Sequence, residues 1–111
     1  MTEEKVLGKI ATVEFGVCSD RPFLVGIQFT FSLNGGCGGI GDGGKYLINM
    51  SKECRWTEIE RSLAIENSID RINQWLLDAK VHYISKLKNI PVEVTIKDNM
   101  FSDFRILTEV L

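Results

Sequence analysis

The chain has little proline, a single histidine, no long apolar run and no surplus of basic charge. No stretch approaches the roughly 18 consecutive apolar residues of a membrane-crossing helix. His82 is the only histidine, and Cys18, Cys37 and Cys54 form no CxxC pair. A zinc site would have to be built from scattered thiols and carboxylates, so no metal and no cofactor is expected. An odd cysteine count without close pairs points instead to free thiols in a reducing cytoplasm. The formal charge is −2, the pI about 5.4, and no run of Lys and Arg occurs, so the whole chain carries no footprint for nucleic acid. Met1 to Lys5 is acidic and leads into no apolar h-region, so neither a signal peptide nor membrane association is expected.

What the chain does have in abundance is glycine in one place. Residues 34–44 hold seven of its ten glycines. Such a run loses more backbone freedom on ordering than any other, and it predicts neither helix nor regular strand. It contains two phosphate-loop patterns: Gly36, Gly38 and Gly41 match G-x-G-x-x-G, and Gly39, Gly44 and Lys45 match G-x-x-x-x-G-K. Both patterns require a helix immediately afterwards, because its N-terminus completes the phosphate cradle. Here the next residues are Tyr46-Leu47-Ile48-Asn49-Met50, which read as a strand. What remains is a connection between strands, with a milder possibility that its amides form an anion-holding nest beside Lys45.

Around it the hydrophobic period switches between two and 3.6. Val13, Phe15 and Val17 alternate with polar residues, as do Val25, Ile27, Phe29, Phe31 and Leu33, with a turn at Cys18 to Pro22; this predicts an antiparallel hairpin. From Glu58 to Lys80, Ile65, Ile69, Ile72, Leu76 and Ala79 recur at helical steps, widened by Trp75 and Leu77. Ser85 to Asn89 predicts a brief helical turn, and Pro91 forces Ile90 into an extended conformation. Val92, Val94 and Ile96 predict another strand, Asp98-Asn99 a turn, and Phe104, Ile106, Thr108 and Val110 the inward row of the last. The expected fold at 111 residues is one α+β domain, an antiparallel sheet of about five strands covered by one long helix.

Catalytic constellations are not apparent. His82 lies past the helix among polar neighbours, and the carboxylate pairs Glu58/Glu60 and Glu66/Asp70 read as solvated helix surface. The candidate ligand-binding residues are Arg55 and Trp56, adjacent in a polar stretch; Arg105 with Asp103 on the closing strand; and Gly38, Gly39, Gly41 and Lys45 of the glycine run. Trp beside Arg is a combination enriched at recognition sites. Arg105 reads either as a cross-strand ion pair or as a planar fork for carboxylate or phosphate.

The segment Leu87-Lys88-Asn89-Ile90-Pro91-Val92-Glu93-Val94, continuing to Phe104-Arg105-Ile106-Leu107-Thr108-Glu109-Val110-Leu111, resembles the ending of small bacteriophage and prophage proteins of low-GC bacteria. In these a Leu-x-Gly-x-Pro-Val-Glu-Val segment leads to a chain-terminating hairpin; Asn89 stands here where glycine is usual. Gly8-Lys9-Ile10, Phe15-Gly16 and a glycine-rich middle are also similar to that group. The resemblance implies a phage accessory protein in the host cytoplasm, of a size common among counter-defence factors. Some of those sequester nucleotide immune signals, as Thoeris anti-defence proteins do; others block a nuclease complex, as anti-CRISPR proteins do. The expected partner is therefore a small phosphorylated nucleotide, bound without catalysis by a homo-oligomer, or a host defence protein; a structural phage protein is the remaining alternative. An enzyme is not expected.

Overall fold

A computed structural model describes residues 3–35, 38–51 and 58–111. Among these residues, six strands form one antiparallel sheet with a single long helix, the α+β architecture expected. The strands are β1 (Glu3–Val17), β2 (Leu24–Leu33), β3 (Gly39–Gly41), β4 (Leu47–Asn49), β5 (Pro91–Lys97) and β6 (Met100–Ile106); the helix α1 spans Glu58–Ala79. Their order across the sheet is β3-β2-β1-β5-β6, and β4 also pairs with β2, at its opposite end from β3.

β1 is more than twice the length of an average strand because it serves two partners in succession. Glu3 to Lys9 pair with β5, and Gly8 to Val17 pair with β2. The register slips at Ala11, between Ile10↔Phe31 and Thr12↔Thr30. One extra residue resets the alternation, so Ile10 and Val13 both face the helix. Gly8 is required at the handover, since a Cβ there would lie 2.3 Å from the Ser32 carbonyl oxygen. Asp98 and Asn99 close β5 to β6 with φ of 53° and 65°, the left-handed pair of a two-residue hairpin turn.

Two expectations about strands change. The glycine run does hold a strand: Ile40 pairs with Phe31, flanked by Gly39 and Gly41, and a neighbouring ladder supplies what glycine lacks intrinsically. The closing strand stops at Ile106, because Thr108–Val110 forms a 3-10 turn, leaving both Thr108 and Val110 exposed instead of inward.

The helix ends in a Schellman motif, with the Val81 N–H donating to the Leu76 carbonyl at 3.1 Å, the Lys80 N–H to that of Leu77 at 3.2 Å, and Lys80 at φ 58°. Its buried face is Ser68, Ile72, Trp75 and Ala79, while Ile65, Ile69 and Leu77 remain exposed. The face is thus rotated from the expected stripe towards Trp75. The reason is an aromatic cluster around Phe29, whose ring centroid lies 5.0 Å from Trp75, 5.1 Å from Phe104, 5.7 Å from Phe31 and 5.9 Å from Tyr46. Phe31 also stacks on Phe101 of β6 at 5.4 Å, although β1 and β5 stand between their strands. The sheet therefore coils until its two edges approach. Lys45 spans the gap by donating to the Ser102 carbonyl.

Candidate functional site

The sequence candidates separate into three places. Arg55 and Trp56 lie outside the described residues, as do Gly36, Cys37 and Cys54. Gly38, Gly39 and Gly41 belong to the edge made by β3, where Asp42 takes over the role a phosphate would have had. Asp42 is buried, with its Oδ2 accepting the Phe29 N–H at 2.9 Å and its Oδ1 accepting the Gly44 N–H at 3.0 Å. The loop's own carboxylate thus occupies the amides nearest to an anion nest.

On the face of the sheet away from α1, this turn borders a groove of about 450 Å³. Thr12, Glu14, Asp20, Arg21 and Gln28 line it with the 41–44 turn. Glu14 and Asp20 face the single guanidinium of Arg21 there. Cys18, a free thiol, donates to Asp20 Oδ1 at 2.9 Å on its rim, and this bond is the main reason the Asp20 carboxyl sits below its ordinary range.

The other side of the molecule is different. A groove of about 620 Å³ runs between α1 and β6, lined by Arg71, Gln74, Trp75, Phe104, Arg105 and Thr108, with Asp70 and Asp78 on its helical side. Arg71 lies over the Tyr46 ring, 5.1 Å from its centroid, and makes no ion pair among the described residues. Cation–π contact of this kind holds a guanidinium in place without neutralising it. Gln74 donates to Asp78 Oδ1 at 2.8 Å. Arg105 is half exposed, its Nε 3.1 Å from Glu93 and its Nη1 3.2 Å from Glu109. The cross-strand ion pair is therefore formed, and it holds the planar group at the groove wall. Glu109 is in turn kept below the ordinary carboxylate range by Arg105.

Asp103 does not line this groove. It accepts the Phe104 N–H at 2.8 Å and acts on Tyr46, whose hydroxyl is buried without a hydrogen-bond partner among the described residues. Burial, and after it the charge of Asp103, push the Tyr46 phenol well above its usual titration range. Lys45 packs between the Tyr46 and Phe101 rings, 5.9 and 5.8 Å from their centroids.

Comparisons with family models, curated proteins and solved structures returned no match. Among the described residues, no helix is long and apolar enough to cross a membrane. The residue that the sequence analysis did not single out is Arg71. Its position one residue before the core residue Ile72 was a usable signal, but its partner Tyr46 is reached only through the folded sheet.

Proposed function

We propose that this chain is a non-catalytic accessory protein of the phage kind, acting in the host cytoplasm by binding and sequestering a small phosphorylated nucleotide. The observation that carries the reading is the convergence of Arg71 and Arg105, from two different elements, on one groove. Guanidinium groups held by fixed neighbours lose little freedom on gripping phosphate, and their planar faces also accept a stacked base. Gln74 and Thr108 add neutral hydrogen-bonding groups on the same walls. The glycine-rich turn has no part in this reading, because the Asp42 carboxylate already accepts its Gly44 amide.

Calorimetric titration of the full chain with cyclic nucleotides and cyclic ADP-ribose isomers tests it. One of these ligands should bind, and Arg71→Ala or Arg105→Ala should each weaken it by at least about tenfold, roughly 1.4 kcal/mol. Both arginines are surface residues, so circular dichroism of the variants should match the parent. The absence of heat with every ligand would overturn the proposal.

A further inference from the structure

One edge of β1 is only partly covered. β5 pairs only with Glu3 to Lys9, and the last bonds on that side join Ile10 to the chain before β5: its N–H donates to Ile90 at 3.0 Å and its carbonyl accepts from Asn89 at 2.7 Å. From residue 11 to residue 17, no strand pairs that edge among the described residues.

The direction of the unpaired groups comes from the ladder. Phe29 donates its N–H to Asp42 Oδ2, and its carbonyl accepts the Asp42 N–H, both on the side away from β1. Val13, its partner across the pair, must then turn its own N–H and carbonyl away from β2. Alternation extends this to Phe15 and Val17, and the Cys18 N–H, donating to the Leu24 carbonyl at 2.9 Å, marks the opposite phase. The same three residues carry an apolar row, in which Phe15 is 56% exposed and Val17 62%. Free strand edges are ordinarily blunted by Lys, Pro, other charges or bulges. Residues 11–17, Ala-Thr-Val-Glu-Phe-Gly-Val, contain no Lys or Pro; their one charge is Glu14, and the bulge lies at their start, before Val13.

We propose that two copies of this chain join their β1 strands antiparallel about a two-fold axis at Phe15, making one continuous sheet. Phe15 faces Phe15 of the second copy and Val13 faces Val17, with two backbone bonds at each such pair. Glu14 then lies opposite Gly16. Shifting the axis by one residue to Glu14 would set two carboxylates directly against each other, which disfavours that register. The arrangement is isologous and closed, so it ends at a dimer through this surface. It does not depend on the nucleotide reading and shares no residue with the α1–β6 groove.

Native mass spectrometry of the full chain across a dilution series tests this, with Phe15→Lys and Phe15→Glu variants alone and mixed. The parent should show twice the 12.5 kDa chain mass, each variant alone should be monomeric, and the equimolar mixture should restore a dimer containing one of each. Amide hydrogen exchange should show Val13, Phe15 and Val17 protected in the parent and losing protection on dilution. A parent that is monomeric at every concentration overturns the proposal. So does a dimer that persists in both single variants, which would place the interface elsewhere, or protection at β1 that appears only with a different protein bound. Loss of nucleotide binding with the dimer intact would count against the ligand proposal alone.

Discussion

At the scale of single residues, Asp42 explains how a glycine-rich segment stays ordered on the sheet edge. β3 pairs with Thr30 to Ser32 and β4 with Leu24 to Gly26, which leaves the Phe29 N–H between them without a strand partner. The Asp42 carboxylate fills that gap and binds the Gly44 N–H with its second oxygen. Replacing it by Ala orphans the buried Phe29 N–H, which costs about 1–3 kcal/mol, and frees the part-buried Gly44 N–H as well. Asp42→Ala should therefore lower unfolding stability in urea by at least that amount. Asp42→Asn keeps one acceptor and should fall between; a loss under about 0.5 kcal/mol for Ala would contradict this account. Asn89 gives a second case. Its φ of 70° lies in the left-handed region, which Gly and Asn occupy most readily, so few other side chains would fit there without strain.

Among the elements, α1 shows what hydrophobic periodicity does and does not determine. Its existence and its end were legible, since 22 residues run without Pro or Gly before the chain turns at Lys80. Its orientation was not. Ile65 and Ile69 fit the helical period as well as Trp75 does, but only Trp75 meets the ring of Phe29. Trp75→Ala should cost roughly 3–5 kcal/mol, as large-to-small changes in an aromatic core do. Ile69→Ala, on a residue 58% exposed, should stay within about 0.5 kcal/mol in the same denaturation experiment. Equal losses at the two positions would mean that the helix packs on its other flank. The short strand β3 was illegible for a related reason: Ile40 is its one apolar residue, and its pairing comes from Phe31 and its neighbours.

For the whole molecule, coiling of the sheet brings Phe101 of β6 against Phe31 of β2, and α1 closes over the aromatic cluster between them. The coil creates the groove with Arg71 and Arg105, while the overhang of β1 beyond β5 leaves Phe15 and its neighbours outside it. Ligand capture and self-association should accordingly be separable. Phe15→Lys should abolish the dimer yet leave the calorimetric affinity of the α1–β6 groove unchanged within about twofold, less than 0.5 kcal/mol. A coupled loss would place ligand contacts across the dimer axis. Local sequence was enough for the α+β class, the hairpins, the helix and the exclusion of a phosphate loop. Each of these rests on hydrophobic periodicity, on turn residues, or on the strand-like stretch directly after Lys45. Folding in three dimensions was needed to join Arg71 to Arg105, to stitch the glycine turn to Phe29 through Asp42, and to leave half of β1 without a neighbour. Those features depend on register, coiling and strand length, which are set by contacts between residues far apart in the chain.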